Sequence, residues 1–161
     1  MKKFVFTLLL VFVCHLGYAQ GINGLFNEFG SEKNADCVKV SSFMMSLGKM
    51  FAGHDEDAKI IRKIKSIKVL DLESCTASVK ERFNKKVNRL SLKGYDELMR
   101  VNDEGEKVRV LMKTKKETIR ELLFVCTGKE DCTLVQINGK FTKDDIDKLV
   151  NQETGKKHGR R

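Results

Sequence analysis

The sequence predicts an α+β domain with a largely antiparallel sheet, a C-terminal four-strand meander and helices packed on one face. Three observations predict this class. Apolar residues recur with helical spacing in the first half of the chain and alternate with polar residues after Tyr95. The 161 residues suit one domain, and a composition of 41% hydrophobic and 33% charged residues is typical of globular proteins. Segregation of helices and strands along a chain is typical of α+β folds.

Residues 1–19 have the pattern of a secretory signal peptide. Two lysines precede the apolar run Phe4–Val13, and Gly17 and Ala19 supply the small residues expected before a cleavage site. The run is shorter than the roughly 20 residues that a membrane-spanning helix needs. We therefore expect cleavage after Ala19 and a mature protein that is periplasmic or secreted, with no transmembrane span. An uncleaved N-terminal anchor is the alternative.

The remaining chain predicts one α+β domain at residues 20–154 and a disordered basic tail at residues 155–161. The sequence contains no proline and no tryptophan. Proline-rich docking motifs and a structural cis-proline are therefore excluded.

The first half of the domain predicts short elements in alternation. In order they are a helix at 21–30, a strand at Cys37–Val40, a helix capped by Ser41 or Ser42, a charged loop at 52–59 and a strand at Ile64–Leu72. The capped helix carries an apolar stripe from Phe43 to Phe51, which we assign to the core.

An amphipathic helix follows, and the capping-box pair Ser78 and Glu81 marks its start, although Ser74 or Thr76 could begin it earlier. Gly94 fits as its terminator. Its apolar stripe consists of Val79, Phe83, Val87 and Leu90. A second face of the same helix carries what we call the basic stripe: Arg82, Lys86, Arg89 and Lys93.

From Tyr95 the period of two predicts four strands joined by turn-rich segments. They are Tyr95–Val101, Lys107–Lys113, Ile119–Cys126 and Cys132–Asn138, with a hairpin loop at 102–106 between the first two. Gly139 then turns the chain into a last helix. Thr142 is its predicted N-cap, with Asp144 and Asp145 in the first turn.

Five segments together carry a family resemblance through their order and spacing. They are Val38–Met44, Ile64–Leu72, Tyr95–Met99 with the turn Asp103–Gly105, Ile119–Leu123 and Ile137–Gly139. Over about Leu25 to Val150 the chain resembles a family of exported Bacteroidetes proteins, domain-of-unknown-function family 4252. The resemblance implies a Gram-negative envelope location and a compact α+β fold. It implies no activity and no catalytic residues, and the cysteines are not part of its pattern.

Four cysteines follow the leader: Cys37, Cys75, Cys126 and Cys132. An even number in an exported chain predicts disulfides, and three pairings are open. Cys126 and Cys132 flank a turn-rich stretch between two predicted strands, so we favour that bridge, which leaves Cys37 to pair with Cys75. A zinc site is the alternative, but the spacings do not resemble paired zinc knuckles.

Enzyme motifs are absent from the sequence: it has neither a phosphate-binding loop nor a dinucleotide-binding glycine pattern. The segment His54–Asp57 could hold a divalent cation or serve a small envelope enzyme of unknown class. It lacks the periodicity of a calcium loop, and a solvated loop is the simpler interpretation. We therefore expect no catalytic residue, no metal and no cofactor.

The basic stripe is the candidate surface for anionic partners. The sequence predicts an exported, non-enzymatic envelope domain that binds another protein or an anionic lipid or polysaccharide surface. Nucleic acid is not an expected partner, because the leader exports the chain and aromatic residues do not interleave with the basic ones. The alternatives are a small envelope enzyme and an accessory to envelope stress signalling.

Overall fold

The computed structural model describes residues 21–51, 56–90 and 92–148. The helices are α1 (Ile22–Phe29), α2 (Ser42–Phe51), α3 (Glu56–Lys63), α4 (Ala77–Arg89) and α5 (residues 143–148). The strands are β1 (Asp36–Val40), β2 (Ile64–Asp71), β3 (Asp96–Asp103), β4 (Glu106–Lys115), β5 (Thr118–Thr127) and β6 (Thr133–Phe141). The predicted leader and the predicted basic tail lie outside the described residues.

All six strands form one antiparallel sheet in the order β1-β2-β6-β5-β4-β3. Strands β3 to β6 are the predicted meander, so the α+β class and the meander are confirmed. The hairpin loop predicted at 102–106 shortens to Glu104 and Gly105, with φ values of 42° and 94°. Lys116 and Glu117 form the next turn, with φ values of 48° and 59°. Positive φ at both central residues is characteristic of tight two-residue hairpins.

Helices α1 and α4 cover one face of the sheet, which we call the covered face. Phe26 and Phe29 of α1 are 1% and 0% exposed, and Phe83 of α4 is 0% exposed. The rings of Phe29 and Phe83 meet edge to face, with centroids 5.3 Å apart. These side chains pack on Leu123 and Leu134 of the central strands to form the main core.

A second, smaller core lies on the opposite face. Ile60 of α3 and Ile146 of α5 pack there against Leu122, Phe141 and Ile64. Helices therefore contact both faces, which differs from the prediction of helices on one face. The physical reason is in β5, where consecutive apolar residues point to opposite sides and each side needs cover.

Three element boundaries also differ from the prediction. Part of the charged loop predicted at 52–59 is helical, because α3 begins at Glu56. The apolar stripe of α3 continues into β2. Helix α4 ends at Arg89, so Gly94, with φ of 83°, lies in the turn before β3. Gly139 lies within β6, opposite Ile64 of β2, and the chain enters α5 only after Phe141.

Candidate binding face

One apolar side chain from every strand lies in a single row on the face opposite α1 and α4. Cross-strand pairing places these six residues side by side, in the order Val38, Val69, Val135, Phe124, Val110 and Met99. The next row adds Val108 and Val101 on the β4–β3 side. We call these eight residues the open face.

The open face is accessible to solvent over much of its extent. Val38 is 55% exposed, Met99 49%, Val101 46% and Phe124 36%. Scattered apolar residues are normal on protein surfaces, whereas a contiguous apolar patch indicates an interaction site. The alternating pattern predicts these strands correctly but does not reveal this surface, because alternation alone does not show which face a helix will cover.

Carboxylates flank one end of the open face. Asp36 of β1 and Asp71 of β2 are direct cross-strand partners in the row that contains Val108 and Val101. Like charges placed directly opposite in a sheet destabilise it. Asp103 lies two residues beyond Val101 on the same side of β3. This acidic end would attract a cationic side chain and repel an anionic surface.

The basic stripe is partly engaged in ion pairs within the fold. Arg82 contacts Glu28 at 3.4 Å and Glu32 at 3.0 Å, and its guanidinium carbon lies 5.5 Å from the centre of the Phe29 ring. Lys86 also pairs with Glu28. These contacts stabilise the packing of α4 against α1.

The other two members of the basic stripe are exposed, but they do not lie on the same element. Arg89 is the last residue of α4, and Lys93 lies beyond the helix in the following turn. The four residues therefore do not form one uninterrupted cationic helix face.

The four cysteines are free thiols in the structure, so neither predicted bridge is formed. Cys75 and Cys132 belong to the main core and Cys37 packs against it. Cys126 instead points to the open side of β5, beside Val108. The Cys132 thiol donates to Gly128 O and Asn84 Oδ1, each at 3.3 Å.

Thiol acidity is reduced at three of these positions. Burial raises the pKa of Cys75, Cys126 and Cys132 above the usual value. Because the thiolate is the nucleophile and the metal ligand, these three side chains are poorly suited to either role.

A partly buried polar cluster joins the start of β3 to the centre of the sheet. The Tyr95 hydroxyl donates to Glu121 Oε1 at 2.6 Å, and Gln136 Nε2 donates to the same oxygen at 2.7 Å. Burial and the neighbouring Glu121 carboxylate raise the pKa of Tyr95. The phenol therefore stays protonated and fixes Glu121 in place. The sequence does not predict this cluster, because its members are far apart along the chain.

The segment His54–Asp57, the predicted candidate for a cation, lies largely outside the described side chains. His54 and Asp55 lie outside the described residues, and residues 21–51, 56–90 and 92–148 contain no histidine. Within those ranges no group of three His, Cys, Asp or Glu residues is arranged to hold a metal ion. Among the same residues, no helix has the length and apolar character needed to cross a bilayer.

Among known protein families, a family model described as Domain of unknown function (DUF4252) matches residues 29–149, beginning at the last residue of α1. No curated protein and no solved structure matches the chain.

Proposed function

The chain belongs to the DUF4252 family, and from that premise we propose that it is an exported, non-enzymatic binding domain of the cell envelope that docks a different protein on its open face. The apolar row across the six strands carries this proposal, because its members Val38, Phe124 and Met99 are exposed to solvent. The leader at residues 1–19 supports the export part of it.

Burial of the open face would contribute favourably to docking. Covering a side chain that is about half exposed contributes roughly 1 kcal/mol for a residue the size of Met99 or Val101. A flat apolar sheet face pairs well with another apolar protein surface, since facing side chains interdigitate at about 10 Å separation. Several such residues in one patch together contribute a few kcal/mol, to which contacts at the border of the interface must add.

The charges at the acidic end favour a protein over an anionic envelope surface. Asp36, Asp71 and Asp103 border the open face and would repel lipid phosphates or acidic polysaccharide. Lysine or arginine on a partner protein would instead relieve the repulsion between Asp36 and Asp71. We therefore expect the partner to present an apolar surface with cationic side chains at one border.

Two adjacent residues of β3 provide a matched test. Val101 lies on the open face, whereas Asn102 is exposed on the opposite side of the same strand. We compare Val101→Lys with Asn102→Lys, because both add one positive charge to the same edge strand. Each mature variant is immobilised, exposed to native envelope extract and washed with about 0.5 M salt, which screens exposed charges.

The proposal predicts that the unmodified domain and Asn102→Lys retain the same discrete protein, which Val101→Lys loses. Equal retention by both variants would overturn it. Retention of only lipid or polysaccharide, released by salt, would assign function to an anionic envelope surface instead.

A further inference from the structure

A cationic surface lies at one end of the covered face, beyond the part that α1 and α4 cover. Along one side of β6, exposure increases from the buried Leu134 to the exposed Lys140. Along the same side of β4, exposure increases from the buried Leu111 to the exposed Lys113 and Lys115. Within the described residues, the helical cover of this face therefore ends before the strands do, and lysines occupy the remainder.

The register of the strands brings these lysines close to further cationic residues. Lys113 of β4 is paired with Glu121 of β5, which is paired in turn with Asn138 of β6. Arg120 lies at the same end, at the register shift that precedes Glu121. Two exposed lysines flank this group, one at the register shift in β2 and one in the turn after β4. We call the whole set the cationic end: Lys65, Lys113, Lys115, Lys116, Arg120 and Lys140.

The positive charge of the cationic end is not neutralised by ion pairs. None of its six side chains forms an ion pair with a carboxylate of the described residues. Glu121, the cross-strand partner of Lys113, accepts hydrogen bonds from a phenol and an amide instead. Arg120 Nε is buried and has no hydrogen-bond partner in the part of the chain that the structure describes. Glu117 and Glu121 offset only part of the charge, so the cationic end attracts external anions.

We propose that the cationic end holds the domain on the surface of an anionic phospholipid bilayer. Its charges extend in two directions: across β6, β5 and β4, which are about 4.8 Å apart, and along β4, where Lys113 and Lys115 are about 7 Å apart. A bilayer surface meets all of these side chains at once, whereas a linear polyanion follows only one row of them. Clusters of this size bind anionic lipids by electrostatic attraction.

The bilayer would leave the open face free for the partner protein. Asp36 and Asp71 lie on the open face at the other end of the sheet, where β6 begins at Thr133. An anionic bilayer attracts one end of the domain and repels the other, which fixes its orientation. This inference does not depend on the partner protein proposed above, because it uses the other face and the other end of the sheet.

Flotation of the mature protein with lipid vesicles tests the class of partner. The vesicles contain either phosphatidylcholine alone or equal parts of phosphatidylcholine and phosphatidylglycerol. We expect the protein to float only with the anionic vesicles at about 0.1 M salt, and to be released at about 0.5 M salt, which screens exposed charges. Equal flotation with both kinds of vesicle, flotation that resists salt, or no flotation would overturn the proposal. Binding to soluble polygalacturonate without binding to vesicles would assign the surface to an acidic polysaccharide, and would equally overturn it.

Two double charge reversals with the same change in net charge test the location. Lys115→Glu with Lys140→Glu changes the cationic end, whereas Lys107→Glu with Lys129→Glu changes exposed lysines at the opposite end of the sheet. Because each lysine near an anionic bilayer strengthens binding about fivefold, the first pair should weaken vesicle binding about 25-fold or more.

The control pair should change vesicle binding less than about threefold, because Lys107 is about 25 Å from Lys115 along β4 and screening acts over about 10 Å. Circular dichroism confirms that both variants are folded. An equal loss in the two pairs would show that net charge alone governs binding, and would contradict the proposed location. Val101→Lys should float with anionic vesicles like the unmodified protein, so failure of the partner-protein proposal and failure of this one are distinguishable.

Discussion

Asp145 illustrates how a single carboxylate fixes the junction between α3, β6 and α5. It is 7% exposed, and it accepts hydrogen bonds from Lys63 Nζ and from both the backbone N–H and the hydroxyl of Thr142. The Asp145 N–H donates in return to the Thr142 hydroxyl at 3.3 Å, which completes a reciprocal cap. Burial by itself would raise the pKa of Asp145, but these hydrogen bonds outweigh burial and hold that pKa below its usual value.

The lowered pKa predicts a pH-dependent contribution to stability. Asp145→Asn should lower the free energy of unfolding by about 1–2 kcal/mol at pH 7, through loss of the cap and the ion pair. Since the folded pKa is below the unfolded value of about 3.9, this contribution is complete above that pH. It disappears as the pH falls through the folded pKa. Urea unfolding of the unmodified protein and of Asp145→Asn at pH 7 and near pH 2 measures the size of this contribution and its dependence on pH. A stability difference between the two proteins that persists unchanged at pH 2 would contradict the role of the ionised Asp145 carboxylate. Asp147→Asn, exposed on α5, is the control.

For the opposed carboxylates Asp36 and Asp71 we expect the opposite effect, because removing one charge should stabilise the fold. Asp36→Asn removes a like-charge contact, so it should raise the free energy of unfolding by a few tenths to about 1 kcal/mol at pH 7. The same change should weaken retention of the partner protein. Asp96 is paired with Met112 rather than with another carboxylate, so Asp96→Asn is the control. It should leave both the free energy of unfolding and the retention of the partner protein unchanged. A destabilised Asp36→Asn protein would show that the two carboxylates have no mutual repulsion to relieve.

At the scale of elements, Phe83 is the centre of the contact between α1 and α4. It is fully buried and meets Phe29 edge to face. Phe83→Ala should reduce the free energy of unfolding by about 3–5 kcal/mol, because it removes a large apolar side chain and leaves a cavity. Lys85→Ala, on the solvent side of the same helix, should change it by less than about 0.5 kcal/mol. Equal destabilisation by the two variants in a denaturant titration would contradict this packing.

The sequence predicted the elements whose pattern is local. Alternation located β3 to β6, and the apolar stripe of Val79, Phe83 and Val87 located α4. The helix α3 was missed because its polar start at Glu56 resembles a loop, and its apolar side faces a sheet that the local pattern does not show. The order of β2 between β1 and β6 is likewise a long-range property.

The candidate site was less predictable than the fold. Basic residues on α4 formed a periodic stripe, but their acidic partners Glu28 and Glu32 lie some fifty residues earlier in the chain. The open face depends on six strands meeting in one register, which single-strand patterns cannot specify. The surroundings of the thiols also depend on the register of the strands. Cys126 and Cys132 are close in sequence, but Cys132 lies in the main core and Cys126 lies on the open side of β5.

At the scale of the whole molecule, the sheet divides the domain into two unequal sides. The covered face holds the main core, whereas α3 and α5 pack against part of the other face. This asymmetry leaves an apolar surface that is bordered by carboxylates at one end.

The central claim is that the open face contacts a partner protein in the cell envelope. Site-specific photo-crosslinking in intact cells tests it most directly, with a photoreactive phenylalanine analogue placed in turn at Met99, Asn102 and Arg89. These positions report on the open face, the opposite side of β3 and the basic stripe. We predict one discrete protein adduct from Met99 and none from the other two. An adduct from Arg89 without one from Met99, or a Met99 adduct consisting of two copies of this chain, would contradict the account.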